Sequence, residues 1–517
     1  MKRRTRMTRL AIAAPLTLSL VLTACGSGES AGGTNGKQGE EAGKPSEKPT
    51  EITTAIMNYE ADMVGEDNVV WKELEKQTNT KLKLTWIPEA SFEEKLNVML
   101  ASGDLPEMTY VESIDTPQIR SLISQGVFWD LTPFIKDYPN MSKLPKETWE
   151  NSKIDGKHYV IPRYYPIVGG GLFPMLRQDW LDKVGMKTPE TLDDLYKVLK
   201  AFTENDPDGN GKKDTIGMAG YLGSFNFVYN IMNESGGAWK LRDGSIHPIL
   251  TEDKSKDALI YVKKLYDEGL ISSDIAILKL NQVLEAVKGS KAGSASLSMA
   301  YAWEVTGELR NTNPKAEFRA LPYLKSDNGV KYVPATGGFY GAYLIPKKVP
   351  ESKVKSILKF LDYGYSQEGN DLANYGIKGV HYEEKDGRKV STEQAKKDLV
   401  KVGGNLGSIW RPLGYAQVID SVGIANDVYE QNKKTIEERS KSYLTDPALG
   451  VVSDAYNKYW SDISKKITDF RVKVILGQET IETYDQFVKK MKEDANYKKV
   501  VEEMNAEYKK KVELSGK

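Results

Sequence analysis

The sequence predicts an α/β fold, a parallel sheet with helices on its faces, divided over more than one structural unit. Two observations carry this. From Glu51 onward, runs of strand composition alternate with runs of helical periodicity, the pattern that parallel sheets with crossover helices leave in a chain. The chain is 517 residues long with a single cysteine, so no intramolecular disulfide can form. Its stability must come from buried apolar surface, and chains of this size usually divide that surface among more than one unit.

The chain opens with Lys2, Arg3, Arg4, Arg6 and Arg9 and no acidic residue among them, followed by Leu10 to Leu22, in which only Thr17 and Ser19 are polar. That run falls short of the roughly 20 residues a membrane helix needs and fits the apolar core of a secretory signal peptide. It ends in Leu22-Thr23-Ala24-Cys25-Gly26, which resembles a bacterial lipobox. The resemblance implies cleavage before Cys25 and acylation of its thiol, palmitate being the expected chain; the alternative is an ordinary signal peptide with an accidental cysteine. Residues 1–24 are therefore expected to be removed. Residues 25–50 are expected to be a lipidated cysteine and a tether of mostly Gly, Ser, Glu, Lys and Pro with no aromatic residue, a composition too polar to build a core. As a flexible coil its reach is roughly 25–30 Å. Gly39 to Lys44 superficially matches a phosphate loop but is one residue short and precedes Pro45. Lys+Arg and Asp+Glu each number 72, so loss of the basic leader leaves a mildly acidic protein, with no charge signature for nucleic acid.

In the folded body Ile52 to Asn58 reads as a strand, Asn68 to Thr78 as a helix, and Lys81 to Ile87 as a half-buried alternating strand. Glu93 to Ala101 is helical and stops at Ser102-Gly103-Asp104; Pro106 to Val111 is a third strand. Ligands of such sheets gather beyond the carboxyl ends of strands. Here that means the loops opening at Asn58-Tyr59-Glu60-Ala61-Asp62, Pro88-Glu89 and Glu112-Ser113.

Six stretches in order, Ala101 to Pro106, Val160-Ile161-Pro162-Arg163, Arg177-Gln178-Asp179-Trp180-Leu181, Leu265 to Ile271 and Tyr375 to Tyr382, together with the N-terminal α/β segment, resemble family 1 extracellular solute-binding proteins. The resemblance lies in particular with the long lipoprotein branch that serves carbohydrate ABC transporters in Gram-positive bacteria. It implies a type II periplasmic-binding-protein fold, two α/β lobes joined by a hinge with a ligand cleft between them. Lobe 1 is expected over 51–164 and 336–370, and lobe 2 over 165–335 and 371–517 with the hinge and C-terminal helices. Tyr165 to Gly171 and Thr336 to Gly341 mix strand-like residues with glycines that can absorb hinge rotation. The implied function is capture of an oligosaccharide or glycan fragment by lobe closure and delivery to two permease subunits driven by a separate ATPase. The expected protein is a monomer, lipid-anchored on the extracytoplasmic face of the cell membrane.

Asp206-Pro207-Asp208-Gly209-Asn210-Gly211-Lys212-Lys213-Asp214 places side-chain oxygens at positions 1, 3, 5 and 9 and glycine at 6, as an EF-hand loop does around Ca²⁺. Lys212 would offer its carbonyl. Position 12 is Gly217 rather than the bidentate glutamate, and Thr215 stands where the resembled family often has an acid. A structural Ca²⁺ is expected, an Asx-rich turn after the preceding helix being the alternative.

A glycan site needs flat rings and a few fixed polar groups, and Tyr outnumbers Phe 28 to 12, favouring rings that also hydrogen-bond. The resemblance places an aromatic at the turn Met299 to Glu304, making Trp303 the first candidate and Tyr301 the second, with core packing as the alternative. Asn58, Tyr59, Glu60 and Asp62 occupy the first strand-end loop. Arg163, Tyr164 and Tyr165 lie at a crossing, and Trp410-Arg411 sits among glycines. For the two arginines a surface or inter-lobe salt bridge is the competing reading; Trp180 is expected to pack within its lobe.

As an enzyme, the chain offers no cysteine nucleophile once Cys25 is acylated, no Gly-x-Ser-x-Gly elbow, and three histidines (His158, His247, His381) without metalloprotease spacing. An extracellular lipoprotein glycosidase or other carbohydrate-active enzyme remains the alternative class, since two carboxylates suffice. The family resemblance argues against it. A purely adhesive lipoprotein would need no hinge.

Overall fold

The computed structural model describes residues 48–514, apart from Ala61 and Val422. The expected signal peptide, Cys25 and all but the last three residues of the expected tether lie outside them. From Lys48 the chain forms one compact unit holding separate buried clusters, the first of which belongs to a lobe built on a five-stranded sheet.

That lobe begins with β1 (Thr50–Asn58), α1 (Val69–Thr78), β2 (Thr80–Pro88), α2 (Glu89–Ser102) and β3 (Met108–Val111), in the order the sequence predicts. Local chemistry sets the boundaries. Asn68 Oδ1 accepts from the amides of Val70 at 2.9 Å and Trp71 at 3.2 Å, capping α1. Asn79 ends it in the left-handed conformation, and Gly103 does the same for α2. β1 lies between β2 and β3 and runs parallel to both.

The strand Phe339–Leu344 returns from far along the chain to lie antiparallel between β3 and β4 (Val160–Tyr164), giving the order β2, β1, β3, Phe339–Leu344, β4. The carboxyl ends of β1, β3 and β4 and the amino end of Phe339–Leu344 consequently share one edge. In the second lobe β5 (Phe173–Arg177) lies antiparallel between the strands Ser294–Leu297 and Phe318–Ala320. Helices Leu192–Glu204 and Asp253–Asp267 bury their apolar faces in the same lobe, and helices Asp454–Ile475, Ile481–Glu493 and Ala495–Leu514 close a cluster around Trp239 and Trp460.

Two connections between the lobes run side by side. Tyr165 donates its amide to Gly338 O at 3.1 Å, Thr336 donates to Ile167 O at 2.8 Å, and Val168 bridges Ala335. These are the two glycine-bearing runs read as hinge segments. A third connection corrects the expected boundary at 370. Leu372, Ala395, Leu406, Ile409 and Trp410 all join the first lobe's core, because helix Gln367–Tyr375 packs on α1 and Asn374 Nδ2 holds Trp410 O at 2.9 Å. The chain leaves that lobe after Leu413 and enters the second lobe's buried clusters at Val418. Among the described residues no helix is long and apolar enough to cross a membrane.

Candidate ligand-binding cleft

The shared strand edge collects tyrosines. Tyr59 follows β1, Glu112 follows β3, Tyr165 follows β4, and Tyr340 opens the strand Phe339–Leu344. That strand carries one extra residue between its pairings Phe339 with Tyr164 and Ala342 with Pro162, and such a bulge re-aims a side chain. Gly341 makes it possible. Its φ is 73°, and a Cβ there would sit 2.3 Å from the Tyr110 ring, so only glycine fits both the backbone and the space. Tyr340 thereby donates its hydroxyl to Glu112 and meets the Tyr59 hydroxyl at 2.9 Å. Its ring lies 6.0 Å from that of Tyr165.

Arg163 stands beneath this cluster, fully buried, with every arm used: Nε to Tyr340 O at 2.9 Å, Nη1 to Ser408 O at 2.9 Å and Nη2 to the Tyr110 hydroxyl at 2.8 Å. It positions Tyr340 and Tyr110 and has no arm left for a ligand. Arg411 is different. It lies over the rings of Tyr165 and Tyr340, 5.3 and 5.5 Å from their centroids. Its Nε is buried without a hydrogen-bond partner. Burial first, and then the charge of Arg163, pull its guanidinium below the ordinary arginine range. Lost hydration pushes the Tyr59 hydroxyl up to about 12 and that of Tyr340 higher still, the latter with help from Tyr59 and Glu112. Both phenols therefore stay neutral at physiological pH and serve as hydrogen-bonding groups. Glu60 pairs with Lys401 at 2.8 Å on the same rim.

The second lobe faces this rim through the turn after Ser294–Leu297. Ser298 approaches the Tyr165 hydroxyl at 3.5 Å and caps the turn by accepting from Ala300 N at 3.3 Å. Tyr301 is half-buried; burial and the negative charge of Glu304, then Tyr165, Tyr221 and Glu60, push its hydroxyl up. Glu60 belongs to the first lobe, so its field on Tyr301 reaches from one lobe to the other. Trp303, on the first turn of helix Ala302–Arg310, is half-buried and belongs to none of the buried apolar clusters.

Several sequence candidates sit elsewhere than expected. Trp410 is fully buried, 4.6 Å from the Phe360 ring and pressed on Gly364, because the chain around it stays in the first core. Tyr164 is also buried in that core, with its hydroxyl pushed up to about 12 by burial. Asn58 is buried and spends its amide on Glu60 O at 2.7 Å, shaping the loop rather than lining it. Asp62 is exposed. Trp180, by contrast, packs within its lobe as expected, against Phe202 and under Arg177, which is paired with Asp179. The sequence reading missed Tyr340, Lys401 and Tyr221. Tyr340 had a visible signal in the glycines on either side of its dipeptide, but nothing local announces the partners of a strand that pairs so far back in the chain.

The loop from Asp206 to Asp214 folds around its own oxygens. Asp206 accepts from the amides of Gly209, Asn210 and Gly211, each at 3.0 Å, and Asn210 Nδ2 donates to Asp208 at 2.8 Å and Asp214 at 3.0 Å. Loss of hydration and the carboxylates of Asp206 and Asp214 push the Asp208 carboxyl up, the mark of acids gathered without a counter-charge. Thr215 is no donor to the loop: its hydroxyl is buried on Phe202 O at 2.8 Å. Gly217 cannot be replaced by the usual glutamate, since a Cβ would lie 2.6 Å from Leu199 O. Among the described residues no three His, Cys, Asp or Glu side chains group tightly enough to hold a metal by themselves. A cation here would depend on Asn210 and the Lys212 carbonyl as well as Asp206, Asp208 and Asp214, and that all-oxygen set suits a hard ion.

A separate pocket of about 260 Å³, lined by Leu321, Tyr323, Glu190 and Lys434 among others, lies wholly within the second lobe. It touches none of the cleft tyrosines. His381 is buried, its Nδ1 accepting from Ile377 N and its Nε2 set against Asp398 at 2.9 Å. This ties a loop to a turn and faces no nucleophile among the described residues.

The family model described as bacterial extracellular solute-binding protein matches residues 59–371. Lipoprotein LipO of Bacillus subtilis is 33% identical over 435 residues, covering 81% of this chain and 84% of LipO. The polygalacturonan/rhamnogalacturonan-binding protein YtcQ of the same organism is 33% identical over 85% of this chain and 87% of its own. In three dimensions the chain resembles an EF-hand mutant of the Streptococcus pneumoniae ABC-transporter substrate-binding protein FusA in complex with fructo-nystose. There the TM-score is 0.65 at 19% identity, over 90% of this chain and all of that one.

Proposed function

Because the chain belongs to the bacterial extracellular solute-binding proteins, we propose that it captures an oligosaccharide or glycan fragment between its lobes and hands it to the permease of an ABC importer. The observation that carries this reading is the ring-lined edge where Tyr59, Tyr165 and Tyr340 meet the connections between the lobes, with Ser298 of the second lobe approaching Tyr165; within this reading Tyr301 and Trp303, just after that turn, complete the opposite wall. Pyranose faces stack on such rings, and the neutral phenols of Tyr59 and Tyr340, Glu112 and Glu60 offer partners for hydroxyls. Because the cluster sits where the chain passes between lobes, a ligand held there favours the closed form, and closure distinguishes loaded from empty protein.

Within this reading Cys25 carries the lipid that holds the protein outside the cell, in keeping with a relative named as a lipoprotein. Asp206, Asp208, Asn210, Asp214 and the Lys212 carbonyl hold a structural Ca²⁺ that neutralises their charge; the EF-hand of FusA is in keeping with this. The partners are two permease subunits and an ATPase, and the protein works as a monomer.

The test is solution scattering with a glycan panel. A bound oligosaccharide should shrink the radius of gyration and be recovered chemically intact after prolonged incubation. Steady cleavage of the glycan would replace the transport reading with the glycosidase one.

A further inference from the structure

Arg411 is a charged feature of the cleft that the described residues around it leave unsatisfied. It is 7% exposed, and its Nε has no hydrogen-bond partner among the described residues. Among the described residues no carboxylate forms an ion pair with it. The acids of the same rim are already engaged, Glu112 by Tyr340 and Glu60 by Lys401. Its backbone is fixed, with Asn370 Nδ2 donating to Arg411 O at 3.1 Å, and its guanidinium is steered between Tyr165 and Tyr340, whose rings are only partly buried. A second cation, Arg163, lies close beneath and is neutralised by no acid either.

Removing a cation from water without a partner is costly, and tyrosine faces return only part of that cost. A core built for stability alone would place an apolar residue or a salt bridge here. The arrangement makes sense when the partner arrives with the ligand. A guanidinium fork matches a planar carboxylate, and a buried one discriminates strongly for it, because in its absence the charge stays unpaired.

Resting on the glycan reading above, we propose that the ligand is an acidic saccharide and that Arg411 binds the carboxylate of a uronate residue whose ring lies against Tyr340 and Tyr165. The site then selects by charge at the position where the third connection leaves the first lobe. Carboxylate binding at Arg411 thereby acts directly on a segment that moves when the lobes close.

The experiment is calorimetric titration of the full mature chain with oligogalacturonate, oligomannuronate and oligoglucuronate, each beside its carboxyl-reduced neutral counterpart, plus a sulfated oligosaccharide. The expected result is binding of at least one uronate and its loss by a factor of about 10 to 100 on carboxyl reduction, as for a charge-assisted hydrogen bond. Arg411→Gln should weaken the uronate by a similar factor while leaving the unfolding temperature unchanged or higher; Arg411→Lys should retain part of the affinity. Equal affinity for uronate and reduced forms overturns the proposal, as does binding of neutral members alone, and either outcome leaves the glycan reading standing. Binding of the sulfated member alone overturns the carboxylate assignment. Silence across the whole panel overturns both readings. A lowered unfolding temperature in Arg411→Gln with unchanged uronate affinity reduces Arg411 to a structural residue.

Discussion

Gly341→Ala should be among the most damaging small substitutions in the first lobe, and Gly103→Ala provides its control. Both glycines have φ of 73°, so both variants incur the left-handed strain of an L-residue, about 1–2 kcal/mol. They differ in surroundings. Nothing lies within 4 Å of a Cβ at Gly103, whereas at Gly341 it would be 2.3 Å from the Tyr110 ring. Tyr110 cannot yield freely, because it packs on Phe92 at 5.4 Å and accepts from Arg163 at 2.8 Å. Overpacking adds about 1–3 kcal/mol, and loosening a bond to a buried cation adds about 1.5 kcal/mol or more. Gly341→Ala should therefore cost about 3.5–6.5 kcal/mol or more against about 1–2 for Gly103→Ala. For a lobe-sized domain each kcal/mol is about 2–4 °C, so scanning calorimetry should separate the two variants by at least about 5 °C. Equal shifts would mean that the bulge does not depend on contact with Tyr110, and the account of how Tyr340 is aimed would fail.

Trp303→Ala should reduce glycan affinity about tenfold or more while leaving the melting temperature nearly intact, whereas Trp410→Ala should cost about 3–5 kcal/mol of stability; matched melting losses in the two variants would return Trp303 to the core. Chelator should lower the melting temperature of the parent and added Ca²⁺ restore it, since an ion bound only by the folded chain stabilises it by mass action. An identical response in Asp206→Ala would reduce the loop to a turn. Gln394 first, and then the His381 ring, hold the Asp398 carboxyl below the usual carboxylate range. Its contribution is complete above about pH 4 and is lost as pH falls through the lower folded value. Asp398→Asn should thus flatten the acid limb of the stability curve, and an unaltered limb in urea titrations would refute that. Cys25→Ala should release the protein from the membrane fraction, and persistent attachment in fractionation would rule out the lipid anchor.

The first lobe was legible in the sequence as far as local rules reach. The Asn68 cap, the Gly103 stop and the alternation of Lys81 to Ile87 are written in neighbouring residues, and β1, α1, β2, α2 and β3 followed. The boundary at 370 was not, because helix Gln367–Tyr375 and the loop to Trp410 look like any amphipathic continuation. What assigns them is the match of their apolar face to α1, nearly three hundred residues upstream. The candidate site divides in the same way. Tyr59, Glu60 and Arg411 could be named from strand-end and glycine context, but Asn58, Tyr164, Arg163 and Trp410 share that context and are buried beneath it. Sequence patterns mark where the chain reaches the cleft, and packing decides which side chains emerge into it.

Arg163 and Arg411 show why that decision matters for function. Both are arginines at crossings, both lie beside Tyr340, and neither meets a carboxylate among the described residues. Arg163 gives its arms to two carbonyls and a phenol, so its charge is spread over protein dipoles and its hydrogen bonds are spent on holding the strand edge together. Arg411 has an arm left over. The first prepares the surface on which the second acts, and exchanging their fates would take more than a change of residue. Lysine at 163 could not reach Tyr340 O, Ser408 O and Tyr110 with the same fork, so Arg163→Lys should loosen Tyr340 and weaken every ligand of the cleft, charged or neutral. Arg411→Gln should spare neutral ones. A double substitution should therefore be additive for neutral glycans and less than additive for acidic ones, since loss of the Arg163 support already removes part of what Arg411 contributes to the anion's seat. Plain additivity for both classes would place the two arginines in independent sites.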